Sequence, residues 1–294
     1  MNGVLIIDKP SGLTSHDVVN RTRRILQQRA VGHLGTLDPL ATGVLPLVLG
    51  NMTRLAQFYL KSEKTYEGVI RFGFATDTYD ADGEPTSEPQ EPCITLDQIR
   101  ELAQNFQGTI EQVPPPFSAK KIDGVPAYKL ARKKKEVPLK PVQVEIKQFD
   151  ILGIEGPKTN FQARVASGTY MRAIAHEMGK LAGCGAHLES LRRTAVAEFK
   201  LEDAHTLEEL QAATQGREGS IIEAMLVHSR KLLPSLPCVT ATDEMASNIR
   251  HGRPVNLPEF SRAREVKVFY GQRDLIAIST RVAGTLFHPR IVLV

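Results

Sequence analysis

The sequence predicts an α+β protein: a mixed, mostly antiparallel sheet with helices, then a small β-rich unit. Three observations lead there. Strand-length runs that alternate or are wholly apolar recur along the chain. Helix-period stripes interrupt them irregularly, without the βαβα rhythm of a parallel sheet. A proline-punctuated stretch, "LLPSLPCVT" (Leu232 to Thr240), sets off a strand-rich close. At 294 residues and 41% hydrophobic, the chain suits one large domain or one large plus one small.

In chain order, "VLII" (Val4 to Ile7) reads as a short buried strand and "DKPSG" as a turn. Thr14 and Asp17 fit a capping box, and Val18, Val19, Thr22, Ile25 and Leu26 form the stripe of the helix it starts. "VLPLVLG" reads as a strand whose Pro46 predicts an edge or irregular position. A short helix is expected through Leu55 to Leu60. "TYEGVIRFG" alternates, with Tyr66, Gly68, Ile70 and Phe72 on one face. "ATDTYDADGEPTSEPQEP" is a polar loop, and "LDQIRELAQNFQG" an amphipathic helix ending at Gly108. A basic, proline-bounded excursion over about residues 114–141 follows. "VQVEIKQFDILGIE" and "NFQARVAS" predict two antiparallel strands. "GTYMRAIAHEMGKLAG" predicts a turn and a helix with Met171, Ile174, Ala175, Met178 and Leu181 inward. "LRRTAVAEFKL" returns as a strand and "TLEELQAA" as a helix. Beyond the proline-rich linker come one short helix, "TDEMASNIRHG", and the strands "REVKVFY", "LIAISTRV" and "RIVLV".

The formal charge is +4, a mild excess whose distribution says more than its size. Basic residues gather in "KLARKKKEVPLK" (Lys129 to Lys140), in "SAKKIDG" upstream, and at Arg192 and Arg193. Cys93, Cys184 and Cys238 form no CxxC pair, which points to reduced thiols rather than a zinc site or disulfide framework. The N-terminus lacks the features of a signal peptide. No run approaches the ~20 apolar residues of a bilayer span. The expectation is a soluble, cytoplasmic protein.

The usual motifs fail. No G-x-x-x-x-G-K-[ST] loop is present, and "GCGAHL" lacks one glycine of a dinucleotide fingerprint. "DTYDADG" resembles a calcium loop only until its register is counted from Gly83: the first and twelfth positions fall on Thr78 and Pro89. No histidine pair has metal spacing with a third ligand nearby. The expectation is no metal and no cofactor.

What remains is one acid. In "GHLGTLDPLATGVLPLVLG" (Gly32 to Gly50), Asp38 precedes a proline and a largely apolar run. The bland reading is a helix N-cap with proline at the first helical position. The glycines, the second proline and the β-branched residues that follow make a poor helix. A carboxylate beside apolar sequence needs a partner. Arg172, in the first turn of its helix where the dipole disfavours a cation, is a candidate. The alternative is a solvated arginine. Tyr66 is a core tyrosine or a ring facing the site, and His33, between Gly32 and Leu34 and near Gly35, a turn residue or an imidazole on an exposed loop.

These segments closely resemble the TruB-type tRNA pseudouridine synthases. "LIIDKPSGLTSHDVV", "GHLGTLDPLATGVLPLVLG", "KTYEGVIRFGFATDTYDADG", "PPPFSAKKIDGVPAYKLAR", "ASGTYMRAIAHEMG" and "CGAHLESLRRTAVAEF" are similar to that family's segments, in its order, from Leu5 to Phe199. The close of the chain resembles a PUA domain, a small RNA-binding barrel. The resemblance implies a catalytic domain over residues 1–233 and a PUA-like domain over 236–294. It implies isomerisation of uridine to pseudouridine at position 55, in the T-loop of tRNA. It places the catalytic aspartate on Asp38, a stacking tyrosine on Tyr66, an ion-pairing arginine on Arg172 and a loop histidine on His33. Tyr170, Asp80 and Leu191 match positions around the pocket. Lys9, with Pro10, matches a structural motif. Lys120, Lys121, Arg132 and Lys133 in the basic excursion would hold RNA phosphates. The partner implied is the tRNA T-stem-loop, with no membrane, no protein partner and a monomeric enzyme. A carboxylate of ordinary acidity is ionised at neutral pH, so Asp38 would act as nucleophile or base. Competing readings are a non-catalytic RNA-binding protein or RNA chaperone, and an RNA-guided synthase of the dyskerin type.

Overall fold

A computed structural model of the chain describes residues 1–92, 94–118, 121–122, 125–126, 139–215 and 220–293. The α+β expectation holds: a nine-stranded mixed sheet carries the first part of the chain and a five-stranded sheet the last.

The large sheet is built from β1 (Gly3–Lys9), β2 (Val31–His33), β3 (Thr42–Leu49), β4 (Lys64–Phe72), β5 (Gly108–Gln112), β8 (Val142–Glu155), β9 (Lys158–Val165), β10 (Ala186–Val196) and β11 (Phe199–Lys200). Its order is β1-β3-β10-β4-β9-β8-β5, with β2 on β3 and β11 on β10. A separate pair, β6 (Lys121–Ile122) with β7 (Val125–Pro126), lies in the basic excursion. All neighbours in the large sheet are antiparallel except β3 and β10, which run parallel at Thr42↔Arg192 and Gly43↔Arg193.

Helices cover one face. These are α1 (Ser15–Ile25), α3 (Leu96–Gln104), α4 (Met171–Leu181) and α5 (Leu207–Gln215). The predicted capping box is present: the Thr14 side chain accepts from the Asp17 N–H, and Asp17 accepts in return from the Thr14 N–H. Val18, Val19, Ile99, Met171, Ile174, Met178 and Leu210 from these helices join Leu5, Ile7, Leu45, Ile70 and Phe161 from the strands in one core. The opposite face packs against the short α2 (Ala56–Tyr59), its preceding 3-10 turn and the C-terminal unit. A short α6 (Ser220–Met225) follows α5.

The C-terminal sheet has the order β12-β14-β15-β16-β13. Its strands are β12 (Cys238–Thr240), β13 (Val255–Asn256), β14 (Glu265–Tyr270), β15 (Asp274–Ala283) and β16 (Leu286–Val292). With α7 (Asp243–Arg250) it encloses a core of its own around Ile249, Val266, Ile276 and Phe287.

Four expectations need correction. β3 is not an edge strand, although Pro46 does occupy an irregular position in it. The Pro46 carbonyl accepts from the Leu34 N–H at 2.9 Å, so its missing N–H lies on the same side, where the ladder with β2 ends at His33↔Leu47. The α3 helix stops at Gln104, and Gly108, with φ +86°, starts strand β5 instead of ending the helix. Leu181 is 57% exposed, outside the α4 stripe. The proline-rich stretch is no free tether. Leu232 and Leu233 are buried, the Leu232 carbonyl accepts from the buried Lys267 ammonium at 2.6 Å, and Cys238–Thr240 is already a strand. Phe269, Leu275 and Ile291 share an apolar cluster with Val4, Ile6 and Leu55.

Candidate active site

Asp38 stands on the loop between β2 and β3, and that loop is pinned at every carbonyl from Gly35 to Leu40. The Arg193 guanidinium donates to Gly35 O at 3.0 Å and Thr36 O at 3.2 Å. The Ser15 hydroxyl donates to Leu37 O at 3.0 Å and accepts from the Leu37 N–H at 2.7 Å. The Ala41 N–H donates to Asp38 O at 3.1 Å. Pro39 O accepts from the Gly12 N–H at 2.9 Å and the Lys9 ammonium at 3.1 Å. Leu40 O accepts from the Ser11 hydroxyl at 3.3 Å. Leu34, Leu37 and Ala41 anchor the loop inward. It is irregular, yet each of its carbonyls has a partner, which helps hold a charged group without reorganisation. No helix follows Pro39, so the capping reading is set aside.

The Asp38 carboxylate is 36% exposed and lies 2.9 Å from Nε of Arg172. That Nε lacks an aligned hydrogen bond, so the contact is an ion pair off the N–H axis. The other arms of Arg172 are committed: Nη1 donates to Thr78 O and Nη2 to Phe117 O, each at 3.0 Å. Nη1 also lies 3.4 Å from Asp80. The guanidinium is 5% exposed. Asp80 receives the Thr78 hydroxyl and the Asp82 N–H. Burial pushes its carboxyl above the usual range, against the Thr78 bond and Arg172, and Asp38 adds to the rise. One cation thus sits between two carboxylates, the outer one open to solvent.

Tyr170, at the N-cap of α4, is held by Gln112, which accepts from its N–H at 2.8 Å and donates to its carbonyl at 3.2 Å. Burial raises its phenol, the nearby Ser118 hydroxyl lowers it, and Asp38 raises it again. Tyr66 is 6% exposed on β4, directly opposite Arg193 on β10. Leu191, 8% exposed, stands two residues before Arg193, opposite Gly68. An open groove of about 590 Å³ lined by Ser11, Leu40, Thr42, Gly68, Leu191 and Arg192 runs beside these residues. Asp38 is not in its wall, and the ion-pair geometry, not the groove, locates the chemistry.

Lys9 is wholly buried and donates to Pro10 O at 2.8 Å as well as Pro39 O. Burial lowers its ammonium to about 8, against the pull of Asp38. His33 is half-buried at the end of β2, not on an exposed loop. Its Nδ1 accepts from the Gly35 N–H at 3.3 Å, and burial, then Arg193, then His16 lower its pKa. Lys120, Arg132 and Lys133 lie outside the described residues, as does the side chain of Lys121.

The structure therefore brings Asp38, Arg172, Asp80 and Tyr170 together, with Lys9, His33, Tyr66 and Leu191 around the same loop and strands. Sequence reasoning missed Arg193. Its pairing with Arg192 suggested a basic surface patch, but Arg193 is 0% exposed and Arg192 is bound to Asp8 at 2.7 Å. The strand period was the available signal, since it sets Arg193 on the face of Leu191. Among the described residues no cluster of histidine, cysteine and acidic side chains could hold a metal, and no helix is long and apolar enough to cross a membrane.

Comparison with known proteins matches this layout to one family. A model described as TruB family pseudouridylate synthase (N terminal domain) matches residues 23–171. One described as tRNA pseudouridylate synthase B C-terminal domain matches residues 172–233. The tRNA pseudouridine synthase B of Solibacter usitatus is 48% identical over 296 residues, covering 100% of both chains. That of Photobacterium profundum is 36% identical, covering 100% of this chain and 95% of the relative. Among solved structures, a Cbf5-Nop10-Gar1 complex aligns with a TM-score of 0.73 at 26% identity, covering 99% of this chain and 85% of the other. An H/ACA RNP bound to a substrate RNA containing 2'-deoxyuridine aligns with a TM-score of 0.72 at 25% identity, with coverage of 99% and 85%. With the two family models meeting between Met171 and Arg172 and whole-length relatives at these identities, the chain belongs to the TruB family of pseudouridylate synthases and is an isomerase.

Proposed function

We propose that this isomerase converts uridine to pseudouridine at position 55, in the T-loop of tRNA, with Asp38 as the catalytic carboxylate. The observation that carries the reading is the solvent-open Asp38 carboxylate, ion-paired to buried Arg172 on a loop with every carbonyl occupied. Cleavage of the N-glycosidic bond develops positive charge on the sugar, which a fixed carboxylate stabilises. The base turns, and C5 bonds to the same C1′. One acid suffices, because uracil leaves and returns without hydrolysis. Arg172 holds the Asp38 carboxylate in place through their ion pair. Asp80, Thr78 and Phe117 fix Arg172 in turn.

The target base must leave the stack, at a cost of a few kcal/mol. In this reading Tyr66 recovers part of it by stacking, worth about 1–3 kcal/mol per base. His33 fills the space left behind, and Tyr170 and Leu191 line the pocket. Lys9 supports the loop through Pro39. Lys120, Lys121, Arg132 and Lys133 contact phosphates. Residues 1–233 carry catalysis and residues 236–294 bind RNA, in a monomer that needs no cofactor.

The test is mass-spectrometric mapping of pseudouridine in a T-stem-loop RNA treated with pure protein, without guide RNA or added protein. Pseudouridine at the T-loop position is expected, and none with Asp38→Asn. An inactive wild type that becomes active only with a guide RNA would move the chain to the dyskerin-type reading. Binding without isomerisation under any of these conditions would leave an RNA-binding protein.

A further inference from the structure

Arg193 is the largest wholly buried side chain among the described residues, and none of their carboxylates lies within ion-pair distance of it. Neutral oxygens satisfy it instead. Nε donates to Val44 O at 2.8 Å, Nη1 to Thr36 O at 3.2 Å and Nη2 to Gly35 O at 3.0 Å. β4 sets Tyr66 directly opposite Arg193, so the two side chains stand side by side on one face of the sheet. The backbone leaves the arginine no slack: a Cβ on Gly43 would stand 2.2 Å from the Arg193 carbonyl oxygen, and Gly43 has φ +99°.

Burying a cation without a counter-charge is expensive. Tying carbonyls together does not require it, since a neutral amide donates as well. What the charge adds is a field along the Tyr66 hydroxyl, in a dry interior where such a field acts strongly. The proposed reaction has a use for it. When the N1–C1′ bond breaks, the electron pair stays with uracil, and the detached base is an anion. When C5 bonds to C1′, C5 loses its proton and N1 gains one, so atoms and charge balance.

We propose that Arg193 is a positioning residue for this isomerisation: through the Tyr66 hydroxyl it presents to the departing uracil a positive charge that no described carboxylate contacts, while its other arms hold the Gly35–Thr36 loop in register with Tyr66. The inference rests on the proposed reaction and on Tyr66 facing the base. Arg172 cannot serve in this way, because Asp38 and Asp80 neutralise it.

The test is a double-mutant cycle read by single-turnover rates on T-stem-loop RNA, with RNA Kd measured alongside. Arg193→Gln should slow the rate by roughly 10²-fold, the scale for loss of one preorganised donor, with Kd nearly unchanged. Arg193→Lys, which keeps the charge, should retain more of the rate than Gln. In a Tyr66→Phe background the Gln change should cost only ~3-fold, because coupled residues are not additive. Equal losses in both backgrounds would overturn the proposal. Should Arg193→Gln not fold, ¹⁵N-arginine-labelled wild type and Tyr66→Phe decide by NMR. The Arg193 guanidinium signals should move with loss of the hydroxyl, and unmoved signals overturn it. A wild type that makes no pseudouridine in the same RNA overturns the reading beneath the proposal, and the proposal with it. An active wild type with additive variants overturns the proposal alone.

Discussion

Arg172 and Arg193 are both buried, and the molecule satisfies them in opposite ways. Arg172, in the first turn of α4, lies between two carboxylates and two carbonyls. Arg193, within β10, meets only neutral oxygens. The first arrangement marks where a negative charge must be kept and aimed. The second holds the frame around it and leaves a positive charge unspent. The loop bearing Asp38 lies between the two, tied to Arg172 through the Asp38 side chain and to Arg193 through the Gly35 and Thr36 carbonyls. The difference teaches that burial alone does not define an arginine's role; the charge state of its neighbours does.

The comparison breaks first at Asp38. Asp38→Ala, and Asp38→Asn with its shape kept, should lower the pseudouridine rate by at least ~10⁴-fold, the scale for loss of a catalytic group. RNA Kd should stay near the wild-type value. Multiple turnover by the Ala protein would refute the assignment. Arg172→Lys should come next, slowing single turnover by roughly 10²-fold. An ammonium cannot serve Thr78, Phe117 and Asp38 at once from a planar fork. The harsher Arg172→Ala should also lose about 3–5 kcal/mol of stability in urea unfolding, because it leaves Asp80 buried without its cation. Wild-type kinetics in the Lys protein would dissolve the pairing.

A third buried cation sharpens the contrast. Lys267, on β14 of the C-terminal sheet, is 1% exposed and donates to the Arg230 and Leu232 carbonyls. Lys267→Met should cost about 1–3 kcal/mol through unsatisfied carbonyls, seen as a lower Tm, while kcat on a T-stem-loop stays unchanged. A fall in kcat without a fall in Tm would show that the C-terminal unit takes part in catalysis. Truncation at residue 236 is a poorer experiment, because the shared cluster with Phe269 and Ile291 would be opened.

The smallest effect belongs to Lys9. Burial lowers its folded pKa from 10.5 to about 8. Below pH 8 both folded and unfolded chains hold the proton, and the burial penalty is constant. Between about 8 and 10.5 the unfolded chain binds more protons, so this group's contribution to stability rises with pH. From pH 8 to 9 the gain is at most ~1.4 kcal/mol. Wild type should therefore gain stability over that interval relative to Lys9→Met, measured by urea midpoints. A flat difference between the two proteins would show that Lys9 is not desolvated as its burial implies.

Local chemistry made much of this legible. The capping box at Thr14, the alternation in β4 and the amphipathic α4 were each written in adjacent residues. Asp38 stood out because glycine, proline and β-branched neighbours made its capping role poor. Pro46 pointed to an edge or an irregular position, and only the second holds: β3 is paired on both sides, and the proline sits where its ladder with β2 ends. Arg193 was hidden by its neighbour. Beside Arg192 it looks like surface charge; the strand period sets it on the face of Leu191, and the pairing of β10 with β3 and β4 makes that face the inward one.

By itself the sequence determined the order of elements, the acid, its candidate arginine and the family resemblance, all of which depend on residue type and short spacing. The tertiary structure decided what those groups face. The contact between Arg193 and Gly35 spans 158 residues of chain, and that between Arg172 and Thr78 spans 94. Such contacts exist only after non-local strands have paired and water has been excluded. Whether a charge is neutralised, left bare or opened to substrate is fixed at that stage, by desolvation and by which oxygen lies within about 3 Å.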